Sequence, residues 1–380
     1  MRKEWLKKMI LSLIAVGIIT SHIAPQQTFA DDSIQQEDEY DFGPGKLQDE
    51  LAILTNNLYF LDLHAKIMYE QVIPSYKNIS LIDEDLKNRL QYDQRFSKIH
   101  GKDWLDFYKP LFIKTIQNIA GYNEQFQSHY NNLITALKEK NIEAFKSELS
   151  LLYNDILNNK EQVDNLSGHL ISFRDKLTTD TNYFKSDINE LTSILATSNI
   201  GISLLQKELE RYYQEVKTYE GVLIFNKVLN FSTIGRLFDP LFDDTRSNLD
   251  NAYYNIEQLK QRISGTEKEV AFLTDVEHNY TRMTEIMDSA ITSLENISTY
   301  WYTIASNYRI ILRNIDSINP ERLTFIENKL NTAKDNWENL KESADNMSQS
   351  LKDVAAISNA SKAALNILSP FNIWLPLNIY

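Results

Sequence analysis

Residues 145–219 read FKSELSLLYNDILNNKEQVDNLSGHLISFRDKLTTDTNYFKSDINELTSILATSNIGISLLQKELERYYQEVKTY. Apolar side chains recur at every third or fourth position: Phe145, Leu149, Leu152, Ile156, Val163, Leu166, Leu170, Phe173 and Leu177. The series continues through Phe184, Ile188, Leu191, Leu195, Ile202, Leu205, Leu209, Tyr212, Val216 and Tyr219, with gaps at polar Asn159, Asp180 and Ser198. This spacing gathers the apolar residues on one face of an α-helix and scatters them over both faces of a strand, so it predicts helix. The same seam returns from Leu249 through Ala252, Ile256, Leu259, Ile263, Val270, Leu273, Val276, Tyr280, Met283, Met287, Ala290, Leu294, Ile297, Trp301, Ile304 and Tyr308 to Ile315. Its spacing tightens to three and three at Val270, Leu273 and Val276, a stammer in the heptad pattern. Two stretches of roughly 70 to 75 residues would each span on the order of 105 Å as single helices.

Shorter seams flank these two. Leu47, Leu51, Leu54, Leu58 and Leu61 predict a helix that ends at Pro74, and a second runs from Leu81 to about Gly101. A third starts at Trp104 and continues through Tyr108, Leu111, Ile119, Phe126, Leu133 and Leu137, with Pro110 in its first turns. Asn319 caps and Pro320 opens a last helix with Leu323, Ile326, Leu330, Trp337, Leu340 and Val354 on its seam. Amphipathic helices of this length are unstable alone in water, so each seam must be buried against neighbours. The expected fold is therefore all-α, an elongated antiparallel bundle of about five helices. Only 10 Gly and 8 Pro in 380 residues agree with long helices and argue against turn-rich β architectures.

The chain ends and the connection between the long seams break this pattern. Residues 1–30 carry Arg2, Lys3, Lys7 and Lys8, an apolar run from Met9 to Ile19, and Thr28-Phe29-Ala30, which reads as a secretory signal peptide cleaved after Ala30. The protein is thus expected to be secreted and extracellular. Residues 31–45 form an acidic leader, 46–219 and 246–364 the two parts of the helical bundle, and 365–380 an apolar C-terminal tail. Between them, residues 220–245 concentrate Val222, Leu223, Ile224, Phe225, Val228, Leu229, Phe231, Ile234, Leu237, Phe238, Leu241 and Phe242. A helix connection in a bundle normally needs about 2 to 8 residues, mostly polar. This one is expected at a far end of the bundle, as a small apolar head that caps the helices or contacts a membrane. A short β-hairpin is one conformation it admits. Twelve apolar side chains at about 1.5 to 3 kcal/mol each would favour insertion strongly if uncovered together.

No catalytic or metal-binding pattern accompanies these features. The formal charge is −13, and the basic residues are scattered among more numerous carboxylates, which argues against nucleic acid as a partner. Absence of Cys removes disulfides, thiolate metal sites and thiol nucleophiles. His64, His100, His129, His169 and His278 form no zinc-binding pair, and Asp275, Glu277 and His278 do not share one helix face. There is no glycine-rich phosphate loop, nucleophile elbow or EF-hand. No cofactor, no metal and no enzyme activity are expected, and carboxylates such as Glu208 and Glu210 read as solvated faces.

Two segments resemble the haemolytic enterotoxin family of Bacillus, the components of non-haemolytic enterotoxin and haemolysin BL, with cytolysin A as a more distant structural relative. Residues 103–137 are similar to the family's pattern at Trp104, Tyr108, Pro110 and Leu111 and the helical seam after it. Residues 272–315 are similar to its long helix after the head, including Leu294, Glu295 and Trp301. The resemblance implies a toxin that acts with companion components to permeabilise target-cell membranes, a monomer in solution and a hetero-oligomer on the membrane. The family's strongly inserting members carry a longer apolar head, which implies an auxiliary component here. The competing expectation is a non-toxic extracellular helical rod, an adhesin or envelope spacer.

Overall fold

The structure, a computed structural model, describes residues 42–71, 82–196, 202–225, 243–262, 267–317 and 322–342. The chain separates into Met1–Tyr40 and Asp41–Tyr380. All described residues lie in the second unit, so the signal segment and the 365–380 tail are outside them. The elements are α1 (Leu47–Glu70), α2 (Glu84–Asp103), a wide π turn (Trp104–Tyr108), α3 (Lys109–Glu139), α4 (Ile142–Ala196), α5 (Ile202–Phe225), α6 (Asp243–Arg262) and α7 (Glu267–Asn314). A 3-10 turn (Ile315–Ser317) follows, then helical residues 322–342, here α8. No strand occurs among the described residues. The residues 226–242, for which a β-hairpin was one option, are not among them.

The helix count exceeds the expected five because each long seam is divided. α4 and α7 are the longest elements, with 55 and 48 residues, about 80 and 70 Å at 1.5 Å per residue. Polar pairs fix their register. Lys146 meets Asp316, Ser298 meets Asp164, Arg174 meets Asp288 and Lys185 meets Glu277, so the two run antiparallel. Glu50 with Asn296, Asn57 with Ser289 and His64 with Asn279 lay α1 antiparallel along α7. α3 packs on α4 through Asn118–Gln162 and His129–Glu148, and α8 packs on α3 through Tyr130–Asn331 and Lys341–Glu124.

The α7 seam from Val270 to Ile315 is buried at every position named from the sequence except those outside the described residues. Trp301 and Trp337 stack with centroids 5.5 Å apart, and Tyr122 meets Trp337 edge-on at 4.6 Å. Trp337 Nε1 donates to the Phe42 carbonyl at 2.8 Å, which satisfies the buried indole. Between α3 and α4, Lys140 takes the left-handed conformation at φ 55, and Asn141 caps α4 by accepting from the Ala144 N–H.

The break expected between Gly101 and Trp104 does not occur. α2, the π turn and α3 follow one another with helical backbone, and the Lys109 N–H reaches back to the Trp104 carbonyl. Pro110 has no N–H and its ring crowds the carbonyl four residues earlier, so the widened turn before it accommodates the proline without a break. The extra residue in that turn rotates the buried face: Phe112 is fully buried where Leu111 was expected. Gly101 marks close packing instead. A Cβ there would lie 2.6 Å from the Ala65 carbonyl and 3.0 Å from the Tyr69 nitrogen of α1.

α5, which leads into the apolar segment, runs back along the bundle. α5 contacts α7 through Tyr213–Asp275 and Glu220–Arg282, with both chains ascending, whereas α4 runs antiparallel to α7. The chain has therefore reversed between Ala196 and Ile202. α5 folds back along the bundle and ends beside α1, where Asn56 Nδ2 donates to the Leu223 carbonyl at 3.3 Å. α6 then returns antiparallel to α5, with Tyr253 at Glu220 and Lys260 at Asp275. The last described turns of α5 thus lie alongside the middle of α1 and α7.

Candidate functional site

The α5–α6 hairpin carries the apolar segment, and its attachment is the most charged part of the interior. The apolar seam predicted for α5 used Tyr212 and Tyr219; the structure buries Tyr213 and Glu220 one residue further on, with Leu209, Val216 and Leu223. Both series have helical spacing, and periodicity favours the one that is apolar throughout. Burial of Glu220 could be found from sequence only by pairing it with Arg282, also buried at 5% exposure and 62 residues away.

Glu220 is fully buried and sits at the centre of three groups. Arg282 Nε donates to Oε2 at 2.8 Å, Tyr253 OH donates to Oε1 at 2.9 Å, and His64 Nε2 lies 3.1 Å from Oε1. His64 is held in turn by Asn279 at 2.8 Å. Burial alone would raise the Glu220 carboxyl, but His64 and Arg282 outweigh it and hold it at about 2. Arg282 also pairs with Glu285, which binds Lys217 of α5. Two turns further along, Tyr213 OH donates to Asp275 Oδ1 at 2.7 Å, and Lys260 of α6 meets Asp275 Oδ2 at 2.7 Å. Burial opposes the Lys260 charge, but Asp275 and Glu257 raise its pKa overall. The Tyr213 ring stacks on His278 with centroids 4.1 Å apart. His278 Nε2 is buried without a hydrogen-bond partner, and burial, with His64 and Arg282 nearby, pushes that imidazole down to about 3.

These groups come from α1, α5, α6 and α7, so the network clamps the hairpin to the bundle. Its energetics suit reversible attachment. Desolvation offsets most of the gain from buried ion pairs, whereas loss of one partner strands a charge and costs about 3–5 kcal/mol. The arrangement offers no nucleophile or acid–base pair beside a substrate cavity, and no metal-binding group of three ligands occurs among the described residues. Asp275, Glu277 and His278 diverge: Asp275 faces α5 and α6, while Glu277 meets Lys185 of α4.

Of the twelve residues singled out in the apolar segment, Leu223 is buried and Val222 half-buried in the last turns of α5. Ile224 and Phe225 complete that helix. Val228, Leu229, Phe231, Ile234, Leu237, Phe238, Leu241 and Phe242 lie outside the described residues. No described helix is long and apolar enough to cross a membrane.

The sequence model of the Bacillus haemolytic enterotoxin (HBL) family matches residues 41–219. Over these residues the chain is similar to the Bacillus haemolytic enterotoxin family. The matched range contains Trp104, Tyr108, Pro110 and Leu111 with the π turn they build, and it stops one residue before Glu220. The structural likeness extends further along the chain. The chain is similar to the HblL1 toxin component of Bacillus cereus, with a TM-score of 0.68 at 24% identity, over 81% of this chain and 98% of that one. It is also similar to soluble SmhA of the tripartite α-pore-forming toxin Smh from Serratia marcescens, with a TM-score of 0.65 at 9% identity over 81% and 94%. The SmhB pore of the same toxin matches with a TM-score of 0.56 at 14% identity over 80% and 99%. At these identities the structural likeness establishes the fold.

Proposed function

We propose that this protein is a secreted, non-enzymatic component of a multi-component α-pore-forming toxin that helps permeabilise target-cell membranes. The match of residues 41–219 to the enterotoxin family model supports the toxin class. Likeness to HblL1 and to members of a tripartite toxin supports action with companion components, as a monomer before contact and a hetero-oligomer on the membrane. The basic, apolar and Thr-Phe-Ala pattern of residues 1–30 supports export.

The observation that carries the mechanism is the clamp beneath the apolar segment. Residues 220–245 act as the head, masked while α5 and α6 are docked and exposed when companions or membrane displace the hairpin. The exposed head is then a short helical or β-hairpin insertion. Because buried ion pairs add little net stability while intact, undocking α5–α6 requires less energy than separating an apolar interface of equal area.

Fastening the hairpin tests this directly. Lys217 of α5 pairs with Glu285 of α7 at the partly exposed edge of the clamp. The chain has no cysteine, so Lys217→Cys with Glu285→Cys can be bridged by a short, reducible bifunctional maleimide. The bridged protein should lose lysis of erythrocytes in the presence of companion proteins, and reduction of the linker should restore it. Full lysis by the bridged protein would show that the hairpin stays docked in the active state.

A further inference from the structure

α2 and α4 enclose a cleft of about 830 Å3 whose charge is not balanced. The apolar seam of α4 calls for Ile188 at this level, but Asp187 is buried at 4% exposure and Ile188 is only half-buried. A carboxylate in a core position needs compensating partners. Arg89 Nε donates to Asp187 Oδ1 at 3.2 Å, but the same guanidinium also serves Glu190. Asp187 Oδ2 is buried and meets no N–H or hydroxyl donor. Across the cleft, the Asp93 carboxyl hydrogen-bonds Asp187. Burial, that hydrogen bond and the charges of Asp187 and Asp180 raise Asp93 to about 7. Near neutral pH Asp93 is therefore partly protonated, and among the described residues Arg89 is the single cation facing four carboxyl groups in the cleft.

The walls add a second preference. Tyr92 and Tyr183, from α2 and α4, line the cleft and remain 61% and 60% exposed. Aromatic faces beside carboxylates suit a planar cation, which can stack on a ring while its N–H groups fork onto two carboxyl groups. Guanidinium fits that pattern better than ammonium. The carboxylates exclude a lipid phosphate.

The geometry points to a recognition site for an arginine side chain, presented by a companion protein and received between Asp93 and Asp187 against Tyr92 or Tyr183. The identity of that companion rests on the multi-component reading; the cleft chemistry does not. On binding, the proton held by Asp93 goes to solvent and the guanidinium takes its place. The other charged or titratable groups facing the pair are Asp180 and Glu190 from α4, Arg89 from α2, His100, which contacts Asp180 at 2.9 Å, and Tyr280 of α7.

The test is calorimetric titration of the purified protein with a capped tetra-arginine peptide at physiological salt, at pH 6 and pH 8, in buffers of different ionisation enthalpy. Affinity should rise about tenfold between those pH values, with release of about 0.9 proton at pH 6 and about 0.1 at pH 8. Asp93→Asn with Asp187→Asn should weaken binding at least about tenfold. Glu208→Gln with Glu210→Gln, which removes the same charge from an exposed face of α5, should leave it unchanged. Tyr183→Ala, at an exposed position that does not disturb the core, should weaken it about threefold. Equal loss in the Glu208/Glu210 control, pH-independent binding or no binding at pH 8 would overturn the assignment. No membrane or companion protein is involved, so this result and the fate of the toxin reading are separable.

Discussion

Gly101 shows how one residue can carry opposite meanings in sequence and in structure. In sequence it reads as the end of a helix. In the structure it lies inside a continuous helical run, at the point where α2 passes closest to α1. Helix propensity alone favours Gly101→Ala by about 1 kcal/mol. A Cβ placed 2.6 Å from the Ala65 carbonyl and 3.0 Å from the Tyr69 nitrogen meets backbone, which cannot rotate away. Overpacking of this kind costs about 1–3 kcal/mol, so the clash should exceed the propensity gain. Gly101→Ala should lower the thermal midpoint, whereas Gly168→Ala, where nothing lies within 4 Å, should leave it unchanged or raise it. Equal midpoints for Gly101→Ala and the native protein would mean that α1 and α2 are not held at this distance.

At the scale of elements, legibility followed the physics of burial. The α1, α7 and α8 faces could be read because each presents one uninterrupted apolar seam, and an apolar face has one place to go. α5 could not, because Tyr212–Tyr219 and Tyr213–Glu220 both have helical spacing, and a buried carboxylate depends on Arg282 and His64, which are distant in sequence. The reversal between α4 and α5 was hidden for a related reason: a continuous seam on both sides of residues 197–201 looks the same whether the helix goes straight on or doubles back. The clamp that results should respond to acid through His278. Its folded pKa, about 3 against an ordinary 6.5, means that the unfolded or undocked state takes up the proton first. Stability linked to this residue is complete above pH 6.5 and falls as pH drops toward 3. The loss by pH 5 is roughly 2 kcal/mol. Asp93 works in the opposite sense, since its raised pKa costs stability as pH rises from 3.8 toward 7. The two are separated by substitution: His278→Phe keeps an aromatic ring against Tyr213 and should reduce the stability loss between pH 6.5 and 5, measured by urea unfolding. A parallel pH profile for His278→Phe and the native protein would remove His278 from the acid response.

For the whole molecule, the sequence already separated a helical framework from two apolar stretches that the framework does not explain, residues 220–245 and 365–380. The family match covers the framework up to Tyr219 and leaves the head to be argued from its own residues. If the head is the part that enters the membrane, its tolerance to charge should differ sharply from that of the helices. An Asp at the centre of a bilayer-inserted helix costs about 2.5–3.5 kcal/mol, so Leu229→Asp with Phe238→Asp would oppose insertion by about twice that. Both residues lie outside the helices α5 and α6, so far-UV circular dichroism and the thermal midpoint should stay at native values while lysis with companion proteins is abolished. The bridged Lys217→Cys, Glu285→Cys protein gives the complementary result, an intact head that cannot leave the bundle. Loss of lysis in both variants, with recovery only on reduction of the bridge, would place release of the hairpin before insertion of the head. Lysis by the Asp variant at native levels would mean that the membrane is breached by another surface of the assembly.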